Sequence, residues 1–164
     1  MPFASEASIS DLCVMKAIAS ELQNFIDQYL PQLHQLPEQP TAIKPAANKW
    51  SKKEILGHLI DSAQNNIRRF IVSQYEDKPK IIYNQDKWVE INHWQDYAMK
   101  DLITLWHLLN KQICFILKNT NDEVSQRLSE TGSVHSIDWL ATDYIKHLQH
   151  HLHQVLDLEP VAYP

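Results

Sequence analysis

Apolar residues recur at three- and four-residue spacing in four long stretches of this chain, separated by polar or proline-rich segments. That period marks amphipathic helices, each with one stripe turned inward. The first is predicted from about Ser10 to Leu30, with Met15, Ile18, Leu22, Phe25, Ile26 and Tyr29 on its stripe. Pro31 is expected to end it, because the residue before a proline is pushed away from helical dihedrals. Residues 37–49 carry three prolines and read as an extended connector. The second helix, from Ser51 to about Gln74, has the sharpest start in the chain. Ser51-Lys-Lys-Glu54 is a capping box, and Trp50 and Ile55 sit where a hydrophobic staple would close it. Leu56, Leu59, Ile60, Ala63, Ile67, Phe70 and Ile71 carry its stripe.

Residues 76–95 lose the period and interleave Tyr83, Trp88 and Trp94 with polar groups. They predict a long connection with a short helical turn around Trp88. The third helix follows from about Tyr97 to Lys118, with Leu102, Leu105, Trp106, Leu109, Ile113 and Ile116 inward and His107 at the surface. Asn121 to Val134 reads as a polar linker. Ser136, with Asp138 in the first turn, is a reasonable cap for a last helix that ends before Pro160. Four such helices predict an all-α four-helix bundle. The connections after the second and third helices are long enough for parallel neighbours, so simple up-down topology is not required.

Composition narrows this picture. The chain has 164 residues and only two glycines, which favours one helical domain over residues 1–164, its core from about 10 to 158, with few tight turns or hairpins. The net charge of −5 offers no basic stripe for nucleic acid, and no apolar run is long enough to cross a membrane. Cys13 and Cys114 lie far apart and suggest no disulfide framework. With no signal-like N-terminus, a cytoplasmic protein acting on a small molecule is expected.

The candidate chemistry is in the histidines. His147, His150, His151 and His153 fall within seven residues of the last helix. At about 100° per residue, His147 and His151 share the inward arc with Leu140, Tyr144, Leu148, Val155 and Leu158. His150 and His153 point elsewhere and read as a solvated face. An i,i+4 pair of imidazoles can grip one metal ion, or form a buried hydrogen-bonded pair; the helix alone leaves both open. His58, two turns into the second helix, falls outside its main apolar arc beside Ser62. Pattern alone predicts an exposed or half-exposed side chain there. Asp61 and Asp143 are the carboxylates nearest these histidines and candidates to orient a ligand ring, or else solvated helix-face residues. Trp88, Trp94 and Tyr144 are candidates to line a pocket.

Two motifs carry a resemblance. Lys49-Trp50-Ser51-Lys-Lys-Glu54-Ile-Leu-Gly-His58-Leu-Ile-Asp61-Ser62 and Asp143-Tyr144-Ile-Lys-His147-Leu-Gln-His150-His151-Leu-His153-Gln154 resemble the histidine motifs of the DinB-like superfamily, particularly its bacillithiol-transferase-like branch. Tyr83-Asn-Gln-Asp86-Lys-Trp88 is similar to the segment before the third helix in that branch. The resemblance spans about residues 10–158. It implies up-down-down-up connectivity, often a homodimer, and one divalent ion held by His58, His147 and His151; zinc or nickel is expected, while imidazole ligands also suit copper or iron. It also implies a thiol S-transferase using a low-molecular-weight thiol such as bacillithiol. A metal-dependent hydrolase, and a metal-binding stress or interaction protein without turnover, stay open beside it.

Overall fold

A computed structural model of the chain describes residues 13–163; the expected helix start at Ser10 lies outside them. Helix α1 (Val14–Leu33) passes through Pro31 and gains two residues beyond it. Leu33 is fully buried in the core, and that burial holds the last turn in helical form despite the donor the proline lacks. A single helical turn, α2 (Glu38–Thr41), interrupts the proline-rich connector.

Helix α3 (Lys52–Val72) starts on the capping box as expected: the Glu54 amide donates to Ser51 Oγ at 3.2 Å, and the Ser51 amide donates to Glu54 Oε2 at 2.8 Å. The aromatic segment is more ordered than its sequence suggests. It holds α4 (Gln85–Asn92), capped by Asn84, and a 3₁₀ turn at Trp94–Asp96. Helix α5 (Met99–Lys118) follows, then the short α6 (Asp122–Ser125).

Among the described residues two strands form, β1 (Leu128–Glu130) inside the expected linker and β2 (Val134–Ser136) from its last residue onward, paired antiparallel. Gly132 turns this hairpin at φ +113°, a conformation that side-chain-bearing residues rarely adopt. Three-residue strands are too short to show alternation, which is why periodicity missed them. Residues 79–81 add along β1, through hydrogen bonds from Ile81 N to Glu130 O and from Glu130 N to Pro79 O. Helix α7 (Ile137–Val155) closes the chain's core. The Ser136 hydroxyl accepts no helix amide and donates instead to Asp138, so the expected cap has its position but not its bond.

Helices α1, α3, α5 and α7 form the bundle. Helix α5 packs between α1 and α3, α7 returns against both from the other side, and α1 and α3 stand at opposite corners. Bonds between helix ends, Cys13 to Asp122, Tyr29 to His153, Lys53 to Tyr97 and Lys52 to Asp157, give up-down-down-up order. Among the described residues no helix is long and apolar enough to cross a membrane.

Candidate metal centre

His58 leaves α3 and His147 and His151 leave α7 at the seam where these two helices face each other. The three side chains each offer a ligand atom within 4.8 Å of the others. Nε2 of His58 and Nε2 of His147 are 3.0 Å apart, and the His151 ring centroid is 4.9 and 4.6 Å from theirs. His58 is buried, at 1% exposure, against the expectation from its pattern. The reason is its neighbourhood. Helix α3 is covered by α4, the 3₁₀ turn, α5 and α7, so even its polar flank is enclosed.

Electrostatics keep the cluster neutral. Burial, with the His151 charge next, pushes the His58 ring down to about 3. Burial, then the neighbouring histidines, holds His147 well below the usual imidazole range, and burial lowers His151. A neutral imidazole has a lone pair to offer a metal; a protonated one does not.

The tautomer of His151 is set by its surroundings. Its Nδ1–H donates to Gln154 Oε1 at 2.9 Å, which leaves Nε2 as a bare acceptor. Gln154 in turn donates to His150 Nε2 at 3.0 Å, and His150 Nδ1–H donates to the Val161 carbonyl at 2.6 Å. His153 donates from Nδ1 to the Glu159 carbonyl at 2.6 Å and accepts from the Tyr29 hydroxyl at 2.9 Å. His150 and His153 are therefore not a solvated face. Both are half-buried and hold the chain's tail, a long-range role that helical phase cannot reveal.

Neither expected carboxylate orients a histidine. Asp61 accepts from Trp94 Nε1 at 3.0 Å and Asn92 Nδ2 at 2.9 Å, so docking of the aromatic segment takes up both of its oxygens. Asp143 accepts from the Tyr163 hydroxyl at 2.8 Å. The Nδ1 atoms of His58 and His147 are buried without a partner among the described residues.

A cavity of about 470 Å³ opens beside the cluster, with His147 and His151 in its wall. Tyr144 lines it as expected, while its hydroxyl donates to Asn110 on α5 at 2.8 Å. Trp88 and Trp94 do not line it. Trp94 is buried against α3, where a Cβ on Gly57 would stand 2.1 Å from its ring, and Trp88 packs edge-on against Tyr83. The wall instead includes Tyr83, Trp139 and Tyr163, and Ser62, Asn66 and Arg69 of α3. Those last three continue the stripe of His58 at i+4, i+8 and i+11, a polar ladder visible in the sequence once His58 is known to face inward.

A bundle of this connectivity with a three-histidine group on the α3–α7 seam matches a recognised class. The DinB superfamily profile matches residues 21–155, and the chain belongs to that family. Among curated proteins it is 27% identical over 110 residues to a Halalkalibacterium halodurans protein described as a candidate metal-dependent hydrolase. That match covers 64% of this chain and spans 63% of the relative's length. Among solved structures, YfiT from Bacillus subtilis superposes with a TM-score of 0.75 at 18% identity, over 94% of this chain and 90% of that one. It is described as a candidate metal-dependent hydrolase of unusual four-helix bundle topology. A mutant of a mycothiol-dependent maleylpyruvate isomerase superposes with a TM-score of 0.72 at 9% identity, over 92% of this chain and 64% of that one. At these identities the superpositions establish the fold alone.

Proposed function

We propose that this protein is a metal-dependent enzyme, with His58, His147 and His151 holding one divalent ion and a low-molecular-weight thiol as the group transferred. The observation that carries this reading is the donor set itself: three neutral imidazoles converge from two helices beside a polar cavity. Nitrogen-only donors suit zinc or nickel, and three protein ligands leave room for a further one. A divalent ion held there supplies Lewis acidity, lowering the pKa of a thiol or water that reaches it.

The chain's own residues do the remaining work. Gln154 fixes the His151 ring with its Nε2 lone pair free. Burial of His58, and the partial burial of His147 in the cavity wall, keep both rings unprotonated. The chain brings no nucleophilic thiol of its own. Neither Cys13 nor Cys114 lines the cavity, and burial pushes the Cys114 thiol up to about 11. The attacking sulfur therefore comes from the substrate side. A mycothiol-dependent enzyme among the fold neighbours supports the thiol reading. Two relatives described as candidate hydrolases support a second one, in which the same centre activates water.

Elemental analysis of purified protein tests the site. About one first-row metal per chain is expected, lost in a His147→Ala/His151→Ala double variant. Wild type that folds normally and takes up no metal would overturn the site. A conjugation screen of metal-loaded against chelated protein, across bacillithiol, mycothiol, glutathione and coenzyme A, tests the chemistry. Metal-dependent hydrolysis without any thiol turnover would decide for water.

A further inference from the structure

We infer that Arg69 is an anion-binding subsite of this cavity, selecting thiols that carry a carboxylate or phosphate some distance from the sulfur; this rests on the thiol reading above. Among the described residues Arg69 is the only lysine or arginine in the cavity wall, and Asp143 its only carboxylate. The guanidinium is held by neutral acceptors. Nε and Nη2 donate to the Ile81 carbonyl at 3.2 and 3.0 Å, and Nη1 donates to Asn66 Oδ1 at 3.4 Å. Asn66 is itself fixed, since its amide donates to the Ser62 carbonyl at 2.9 Å.

Those bonds aim the guanidinium without neutralising it, and the Asp143 charge acts on it through space rather than as a paired partner. Among the described residues Arg69 is in no ion pair within 4.0 Å. Asp143, the carboxylate that shares the cavity, is instead hydrogen-bonded by Tyr163. A half-buried guanidinium stays protonated, and enclosing it without a paired opposite charge is unfavourable. Among the described residues two of its five N–H groups, one on each Nη, have no acceptor and can donate to an oxyanion.

Placement sets the ligand's length. Arg69 lies eleven residues after His58, roughly 16 Å along the helix axis, and its side chain leans back toward the helix start. The guanidinium thus stands on the order of 10 Å from the histidines. A thiol with its acid on the adjacent carbon is too short to engage both; one with several intervening bonds spans them.

Two arms test this. In the first, inorganic phosphate and glutarate are titrated into metal-free, arginine-labelled protein, and the Arg69 Nε–Hε resonance is followed, assigned by its loss in Arg69→Lys. A saturable shift is expected, the tighter of the two anions telling phosphate from carboxylate; no shift with either overturns the subsite. In the second, 6-mercaptohexanoate, 6-mercaptohexanol and 6-aminohexanethiol are titrated into cobalt-loaded protein and sulfur-to-cobalt absorption is recorded. The acid should bind about tenfold more tightly than the alcohol, and the ratio should fall to about one in Arg69→Gln, whose metal content stays that of wild type. Equal binding of acid and alcohol by wild type overturns the proposal. Absence of the absorption with all three thiols defeats the thiol reading instead, and the metal-free arm then decides the subsite alone. It also decides if Arg69→Gln fails to fold.

Discussion

The two sides of this bundle are built for different purposes. Where α1 meets α5 the interior is nearly dry: every buried residue of α1 is aliphatic or aromatic, and α5 adds one amide, Asn110, and one thiol, Cys114. Where α3 meets α7 the interior is polar. Helix α3 buries His58, Ser62 and Asn66 there, with His147 of α7 3.0 Å from His58, and it buries Asp61 against the neighbouring aromatic segment. Enclosed polar groups cost stability unless they are paired, whereas apolar area removed from water contributes about 25 cal/mol per Å². The difference teaches that apolar residues of all four helices stabilise one core, which permits a single seam of it to hold a polar site that does not.

Cavity formation on the dry side gives the largest expected break in that division. Leu22→Ala, at a fully buried position of α1, should cost about 3 kcal/mol in urea unfolding, while the folded variant keeps the metal content of wild type. Loss of metal in proportion to stability would mean the two sides are not independent. Next in size is Gly57→Ala on the polar side. A new methyl there meets the Trp94 ring, whose indole is bonded to Asp61, so the aromatic segment has to shift. About 2 kcal/mol of destabilisation is expected, with a red shift in tryptophan emission as Trp94 becomes wetter. Unchanged emission would show that Trp94 is not what Gly57 accommodates.

This contrast also explains what could be read in advance. Helices α1 and α5 bury one stripe each, so the period of their apolar residues locates them to within a few residues. The capping box located the start of α3 for the same local reason. Phase also separated His147 and His151 from their two neighbours. It failed on His58, because an argument from one apolar arc assumes one buried face, and α3 is covered on several. Asp61 was misjudged because its partners come from Asn92 and Trp94, more than thirty residues later. His150 and His153 were misjudged because they hold the carbonyls of the tail. Arg69 carries no signal in the sequence, since one arginine on a helix flank is ordinary until its place in the cavity wall, outside any ion pair among the described residues, is seen.

The acid side of neutrality offers the finest test, because the polar flanks of α3 carry two titrations of opposite sign. His58 ionises at 6.5 when unfolded and near 3 in the metal-free fold, so the unfolded chain binds more protons and its contribution is lost as pH falls below about 6.5. From pH 7 to pH 5 that loss is about 2 kcal/mol. Asp61 runs the other way. Burial raises its carboxyl from 3.8 to about 6, against the pull of Trp94 and Asn92, so the fold binds the extra proton. Over the same interval it gains about 1 kcal/mol, which disappears again as pH rises through 6. Urea unfolding of metal-free protein should therefore show the wild-type advantage over His58→Leu shrinking on acidification, while the advantage over Asp61→Asn grows. If the two differences moved in the same direction, His58 and Asp61 would not be separately buried groups. Those flanks would then be wetter than their geometry implies, and their contrast with the α1–α5 side would narrow to one of packing alone.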